Sequence, residues 1–294
     1  MKTLTIAVAL MLAAGPAWSG HDRDDEGAPR AIDERRPLKM DGRLTLENTA
    51  GPIEIQAWDK AEVWLTGELG AEVEKLEITG SDTSLRIKVR LPDDEHHVSD
   101  THLMLKVPAG ASLDVQGVSS DISVQGVKGD ATIESVSGDV RLKLGSKKVK
   151  AQSVSGDVTV DAPSTEARVQ SVSGDVTVRG ARGEIRAESV SGDVDVTASD
   201  VTHLDLESVS GDHHVQVDLA REAQVSIETL SGEIALALPK LPEGEIDMET
   251  FSGSLLSAWS PGPRKDDKDW SREGEGKGRV RLHSFSGDVE LRKR

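Results

Sequence analysis

The sequence predicts an all-β protein, folded as a single-stranded parallel β-solenoid with about 18–21 residues in each coil. Three observations support this prediction. A motif that reads SVSGD recurs down the chain with small changes. On both sides of each copy the apolar residues alternate with polar ones. Aromatic residues make up only 2% of the chain, so the interior is filled by small aliphatic side chains, as a narrow solenoid requires.

The glycines of the motif define the period. They lie at positions 138, 156, 174, 192, 211, 232, 253 and 287, so their separations are 18, 18, 18, 19, 21, 21 and 34 residues. The cores read SVSGD from Ser135, Ser153, Ser171, Ser189 and Ser208, then TLSGE from Thr229, TFSGS from Thr250 and SFSGD from Ser284, with a degenerate GVSSD from Gly117. A period of about 20 residues is typical of stacked units that cannot bury an apolar face alone.

The alternation within one period indicates two short strands. Val149 and Ala151 precede one motif, and Val158 and Val160 follow it. Because a period of two places alternate side chains on one face, each strand should bury one face. Stacked coils would form parallel ladders about 4.8 Å apart. We therefore expect one inward column that contains Val140, Val158, Val176 and Val194.

The bend between the two strands is Ser-Gly-Asp. Glycine there is expected to supply a backbone conformation that a side chain would penalise. The serine and aspartate are expected to hydrogen-bond the backbone at the corner.

The N-terminus reads as an export signal. Lys2 is followed by the apolar run 4–14, and Ala17-Trp18-Ser19 resembles a cleavage site, so residues 1–19 are predicted to be a signal peptide. The apolar run is too short to span a bilayer. Residues 20–37 are dense in charge and are predicted to be a disordered linker. The chain has no cysteine, which excludes disulfides and a lipid-anchored lipoprotein. Periplasmic and extracellular locations both stay open.

The rest of the chain divides into two parts. Residues 38–110 are predicted to form divergent N-terminal β coils, in which Asn48–Ile55 matches the motif and 56–110 forms either wider coils or a small antiparallel sheet. Residues 111–294 are predicted to be the regular solenoid, with a loop insertion over 256–279 that is rich in Pro, Gly and charge. Val280–Leu291 is expected to close the stack, with a charged end at Arg292–Arg294.

These residues also resemble a known family. The SVSGDV copies, each followed by a Val-x-Val pattern, and the opening Asn48–Ile55 resemble the "putative adhesin" family of bacterial β-strand-repeat domains of unknown function. The resemblance covers roughly residues 40–291. It implies a right-handed β-helix in a cell-envelope or secreted protein, and it carries no catalytic residues.

The charge limits the partners. The chain has a net charge of −17, with Asp and Glu 52 against Lys and Arg 35. Nucleic acid is disfavoured because its binding needs a basic surface, and anionic lipid is disfavoured for the same reason. A cationic partner or a divalent metal fits the charge, and so does simple solubility. The expected partner is an unidentified protein or another component of the cell envelope.

A column of aspartates is the candidate metal site. Stacked coils would bring like charges about 5 Å apart, where they repel by roughly 0.8 kcal/mol in water, so a bound cation would be favoured. The candidates are Asp139, Asp157, Asp175, Asp193, Asp212 and His213. The alternative is that each carboxylate accepts bend N–H groups and stays solvated. The sequence calls for no cofactor, and calcium is the ion that the column would suit, although the calcium repeat G-G-x-G-x-D is absent.

Two groups of histidines interrupt the pattern. His213 stands at the place of an inward valine, so either a bulge leaves both His213 and His214 in solvent or an imidazole faces the core. The bulge is the favoured interpretation. His96, His97 and His102 lie in or beside an acidic loop without metalloprotease spacing and are expected to face solvent.

No motif indicates catalysis. The chain lacks GxSxG, a P-loop, a dinucleotide fingerprint and a cysteine nucleophile. We therefore expect no enzyme but an adhesin-like β-helix that serves as an interaction or scaffold surface. A β-helix polysaccharide lyase or hydrolase is one alternative, for which only 56–110 and 256–279 could supply loops. A calcium-dependent surface binding module is the other.

Overall fold

The computed structural model describes residues 29–92, 99–163 and 166–294. The predicted signal peptide over residues 1–19, and His96 and His97, lie outside the described residues. The described residues are all-β, without a helix. In this part of the chain, accordingly, no helix has the length and hydropathy that crossing a membrane would need.

The structure contains 24 strands in the described residues. In chain order they are β1 Arg30–Pro37, β2 Arg43–Ala50, β3 Ile53–Trp58, β4 Glu62–Leu69, β5 Lys75–Gly80, β6 Ser84–Arg90, β7 His102–Pro108, β8 Ser112–Ser119, β9 Ile122–Gln125, β10 Ala131–Ser135, β11 Val140–Lys143, β12 Lys148–Ser153, β13 Val158–Asp161, β14 Glu166–Ser173, β15 Val176–Arg179, β16 Gly183–Ser191, β17 Val194–Ser210, β18 His213–Ser231, β19 Ile234–Leu238, β20 Glu245–Ser252, β21 Leu255–Ser257, β22 Asp269–Arg272, β23 Arg279–Ser286 and β24 Val289–Lys293.

Two mostly parallel ladders face each other across one core. The first ladder runs from β2 through β8, β10, β12, β14 and β16 to the second halves of β17 and β18. The second ladder runs from β3 through β9, β11, β13 and β15 to the first halves of β17 and β18, and then to β19. Each coil gives one strand to each ladder, and the motif bend joins them. The predicted parallel, solenoid-like architecture with two strands per coil is confirmed.

The core consists of columns of equivalent residues. Val140, Val158, Val176 and Val194 pair in exact succession along the second ladder, and none of them is exposed. The predicted inward column is therefore confirmed. Since in-register stacking puts like above like, each aliphatic side chain packs on its own copies in the neighbouring coils.

The N-terminal end of the stack does not follow chain order. β2 and β3 lie between the later coil of β8 and β9 on one side and the coil of β6 and β7 on the other. Antiparallel strands then cover this outer coil, since β5 pairs with β6, and β4 pairs with both β7 and β1. Residues 56–110 thus combine the two arrangements that the sequence left open. The predicted linker over 20–37 is wrong for Arg30–Pro37, which forms β1.

The C-terminal end shows the same exchange of order. β23 lies between β18 and β20, and β24 lies between β19 and β21. The prediction that Val280–Leu291 closes the stack is therefore wrong, because the earlier coil of β20 and β21 is outermost. β22, from within the predicted loop insertion, pairs antiparallel with β20 and covers part of this edge.

The motif glycines Gly192 and Gly211 are 19 residues apart instead of 18, and the extra residue lies away from the motif. The register between β16 and β17 shifts next to Gly183, where Val201 and then His203 pair with successive residues. On the motif side, Val194 pairs directly with His213. The extra residue therefore lies at the corner opposite the motif, not at His213.

Candidate functional site

The aspartates of the motif form a chain of hydrogen bonds along the stack. The amide of Asp139 donates to Oδ1 of Asp121 at 2.9 Å, and each later coil repeats this bond. Equivalent bonds run from Asp157 to Asp139 at 3.0 Å, Asp175 to Asp157 at 2.9 Å, Asp193 to Asp175 at 2.9 Å, Asp212 to Asp193 at 2.8 Å and Glu233 to Asp212 at 2.7 Å. One carboxylate oxygen of each aspartate therefore accepts a backbone N–H group of the next coil. Such bonds are what the sequence analysis gave as the alternative to a metal site.

In most motif copies the first serine forms a second, buried ladder, which is interrupted at Ser208. Ser153 Oγ donates to the carbonyl of Gly138 at 3.1 Å, and Ser171 Oγ donates to the carbonyl of Gly156 at 3.1 Å. These hydroxyls are satisfied by the backbone, which a buried polar group requires. In most motif copies, the glycine is needed for space and not for a positive φ. A Cβ on Gly156 would overlap the carbonyl oxygen of Gly138 in the coil before.

The predicted metal ligands do not converge. Within the described residues, no group of three or more His, Asp or Glu side chains could hold a metal ion. The aspartates of the column are exposed or half-buried, whereas His213 has no exposed surface and lies in the core column. His102, from the second group of predicted histidines, is exposed on β7.

His213 replaces an inward valine and brings a hydrogen bond into the core. Its Nε2 lies 2.8 Å from Ser208 Oγ, and Ser208 Oγ lies 2.9 Å from Thr229 Oγ1. Burial, more than any neighbouring group, lowers the pKa of His213 from 6.5 to about 4. The favoured interpretation, a bulge with both histidines in solvent, is therefore wrong for His213. His214 is exposed, with Nδ1 3.9 Å from Asp195 Oδ1.

The second residue of each motif forms an exposed apolar column that the sequence analysis did not identify. We call this column the apolar stripe. In stacking order its members are Val118, Val136, Val154, Val172, Val190, Val209, Leu230, Phe285 and Phe251. Their exposed fractions lie between 43% for Val172 and 71% for Phe251. Eight steps of about 4.8 Å make the stripe about 38 Å long.

The stripe ends in two stacked rings. Phe285 and Phe251 have ring centroids 4.9 Å apart and planes within 6° of parallel. They are adjacent because β23 lies beside β20, although the two rings belong to motif copies whose glycines are 34 residues apart. The exchange of coil order thus extends the stripe to the end of the stack.

A groove of about 870 Å³ runs along the stripe. One side is the row of stripe valines, and the other is a row of Glu and Gln side chains. That polar row contains Glu47, Gln116, Glu134, Gln152, Gln170, Glu188 and Glu207. Four carboxylates and one ammonium, that of Lys88, line the groove. Burial, followed by the charge of Asp205, raises the pKa of Glu207, while the hydrogen bond from Lys88 lowers the pKa of Glu47. The groove is therefore apolar along its length and acidic at its border.

The loop regions that an enzyme would need do not converge on this groove. Gly274 and Gly276, in the insertion, lie against the backbone of Glu243. The insertion also carries Trp270, which is half-buried on β22. The insertion over 256–279 contributes no lining residue to the groove, and residues 56–110 contribute only Lys88 and Val89, from strand β6 and not from a loop.

Comparison with known proteins gives one family. The model of the family described as Toastrack DUF4097 matches residues 42–292. A crystal structure of a "putative adhesin" from Parabacteroides distasonis is 12% identical, with a TM-score of 0.46, over 90% of this chain and 97% of that one. A second "putative adhesin", from Bacteroides fragilis, is 14% identical, with a TM-score of 0.44 and the same coverage. A search of curated proteins gave no match.

Proposed function

The chain belongs to the Toastrack DUF4097 family, and from that premise we propose that it is a non-enzymatic, adhesin-like binding protein of the cell envelope. Its ligand is a basic amphipathic helix of a partner protein, held along the apolar stripe. The observation that carries this proposal is the stripe itself, with one exposed apolar side chain per coil in nine neighbouring coils. Single exposed valines are common on protein surfaces, but a contiguous apolar column marks an interaction site.

The charge around the groove favours a basic partner. Glu134, Glu188 and Glu207 border the valines on one side, and the aspartate column follows the bend on the other. A second copy of the chain would bring the same carboxylates face to face, which costs free energy at short range. Within the chain, Lys150 already pairs with Glu134, and Arg186 pairs with Glu188 and Glu207. A segment with lysine or arginine beside its apolar face would therefore neutralise mainly the aspartate column.

The spacing of the stripe suits a helix. An amphipathic helix presents apolar side chains once per turn, about every 5.4 Å along its axis. The stripe presents one side chain about every 4.8 Å. The two spacings are close enough for several successive contacts, as in other helix-in-groove interfaces.

The non-enzymatic part of the proposal is supported by how the motif residues are used. The buried serine hydroxyls donate to backbone carbonyls, and the aspartates accept backbone amides, so both sets have structural partners. Export by the signal peptide, to the periplasm or beyond it, is part of the same proposal. So is right-handed winding of the coils, because crossovers between parallel strands are right-handed in nearly every known case.

Two synthetic helical peptides test the ligand. Both carry leucine on one face, and the other face is lysine in the first peptide and glutamate in the second. We expect the lysine peptide to bind in fluorescence anisotropy and to lose at least tenfold in affinity for Val154→Lys/Val172→Lys. The matched control is Thr159→Lys/Thr177→Lys, on the outer face of the second ladder, which should bind as wild type does.

Other results would contradict the proposal. Equal binding of both peptides, or an unchanged affinity in the stripe variant, would remove the stripe as a basic-helix site. Concentration-dependent dimers that disappear in the stripe variant would make the stripe a contact between two copies. New reducing ends or unsaturated products from a panel of polysaccharides would support the lyase or hydrolase instead.

A further inference from the structure

A second surface lies on the outer face of the second ladder, near its N-terminal end. Six side chains on six neighbouring strands form a single row there, each directly beside the next in register. In order the row contains Arg35, Trp64, Lys106, Gln56, Gln125 and Lys143. We call it the cross-strand row. It runs along the stack, across the strands, and Asp161 follows Lys143 in the next coil.

Two tryptophans are fixed at one end of the row. The rings of Trp58 and Trp64 stack with centroids 6.2 Å apart. Trp64 Nε1 donates to Asp33 Oδ1 at 2.7 Å, and Trp58 Nε1 donates to the carbonyl of Glu62 at 2.8 Å. Because both indole N–H groups are bonded, the rings are oriented before any ligand arrives.

Cations surround these rings. The guanidinium of Arg35 lies 4.4 Å from the Trp64 centroid, Lys106 Nζ lies 5.2 Å from the same ring, and Lys60 Nζ lies 4.9 Å from the Trp58 ring. Such distances are typical of cation–π contacts. Arg35 is also paired with Glu62 at 3.2 Å. Among the described residues, Lys106 and Lys143 form no ion pair, which leaves both charges available in a strongly acidic chain.

A trough of about 380 Å³ lies beside Trp64. Trp64 forms one wall, and the amides of Gln56 and Gln125 lie across the floor from it. The hydroxyls of Thr66 and Ser123 also line the trough, together with Met104. Glu54 is the single carboxylate among the described lining residues, and it belongs to the neighbouring row.

We propose that the cross-strand row binds a carboxylated oligosaccharide that lies along the stack, over the trough. Trp64 closes one side of the trough as a fixed, partly apolar wall, and the two glutamines offer paired donors and acceptors to the hydroxyl groups of a sugar. Lys106 and Lys143 bind carboxylates at two points, three strand steps or about 14 Å apart. A nucleic acid is a poorer occupant, because the net charge of −17 repels a polyanion of that charge density.

The test is isothermal titration of the mature chain with tetragalacturonate and with its fully methyl-esterified, neutral form. We expect the acid to bind and the ester to bind at least fivefold more weakly, with a change in tryptophan fluorescence on binding of the acid. Lys106→Gln/Lys143→Gln should lower the affinity for the acid at least tenfold. Lys277→Gln, an exposed lysine of the insertion, is the matched control and should bind as wild type does.

Three outcomes would overturn the proposal. These are no binding of the acid to wild type, equal binding of the acid and the ester, and unchanged affinity in the double lysine variant. Thermal melting of each variant checks that the fold is kept. Gln56→Ala/Gln125→Ala, which leaves the cations in place, gives a second measurement and should also weaken binding of the acid. Binding of the acid that is equally lost in the stripe variant Val154→Lys/Val172→Lys would assign it to the groove instead.

Discussion

The amide of Asp157 donates to Oδ1 of Asp139 at 3.0 Å, so a side chain of one coil satisfies the backbone of the next. The carboxylate of Asp139 also accepts from Arg141 at 2.6 Å through its other oxygen. The same bond recurs from coil to coil, which explains why the motif carries an aspartate beside its glycine. The repulsion along the column is offset by hydrogen bonds to charged acceptors, which are stronger than neutral ones.

Loss of one such acceptor should weaken the stack. Asp157→Ala is expected to lower the free energy of unfolding by about 1 kcal/mol, because the amide of Asp175 then depends on solvent. Asp157→Asn keeps an Oδ1 acceptor and should cost less. Urea titration of the two variants, with Asp114→Ala on the outer face of β8 as control, measures the difference. Equal stability of Asp157→Ala and the control would contradict the role of the bond.

Calcium should have no specific effect on the aspartate column. The described residues bring no three potential metal ligands together, and one oxygen of each aspartate is already bonded. We expect calcium to raise the melting temperature no more than sodium chloride at matched ionic strength. A larger effect of calcium that disappears in Asp157→Asn/Asp175→Asn would establish a metal site and restore the calcium-dependent alternative.

His213 should make stability depend on pH. Burial lowers its pKa from 6.5 to about 4, so between these values the unfolded chain binds a proton that the folded chain does not. The contribution is complete above about pH 6.5 and is lost as the pH falls towards about 4, amounting to about 3 kcal/mol. His213→Val should lose less stability than wild type between neutral pH and about pH 4.5. His214→Gln, at the exposed neighbour, should behave as wild type, and identical pH profiles for all three proteins would refute the assignment.

The inward column should not tolerate a charge. Val176 has no exposed surface and packs between Val158 and Val194, so Val176→Asp would place an unpaired carboxylate in the core. We expect a loss of several kcal/mol or failure to fold. Thr177→Asp, on the outer face of the same strand, should cost little. Circular dichroism melts of both variants distinguish the two positions, and a fully stable Val176→Asp would be incompatible with the column.

The repeated part of the fold could be predicted because every copy supports the same answer. Period-two alternation sets the inward face, and a constant offset between copies sets the register, so the valine column and the aspartate ladder both follow from the spacing. The family resemblance, which rested on the same residues, is confirmed by the match over 42–292. The motif glycine was predicted, but for the wrong reason, since crowding by the next coil and not φ explains most copies.

The apolar stripe could also have been found. The same alternation that points Val169 inward points Val172 outward, and that position is Val, Leu or Phe in the copies from Val118 to Phe285. Because the motif reads as a bend, this outward position is easily overlooked along the stack. The cross-strand row could not be predicted from the sequence, because its members come from strands whose order in the sheet differs from their order in the chain.

The exchange of order at the ends could not be predicted from alternation. Each coil presents nearly the same ladder to its neighbour. Pairing of β18 with β23, as observed, and pairing of β18 with β20, as chain order would give, should therefore be similar in energy. His213 is a related case. Its position in the valine column was visible, but the site of the extra residue depended on the opposite corner, where the register shifts near Val201.

The insertion of the last two strands has a mechanical consequence. β24 is hydrogen-bonded on both sides, to β19 and β21, and β23 is likewise held by β18 and β20. A strand at the free edge of a sheet can be peeled off one hydrogen bond at a time, whereas a strand clamped between two neighbours must shear along both interfaces together. A tensile load on the C-terminus therefore meets two rows of hydrogen bonds in each ladder, and the outermost coil bears none of it directly.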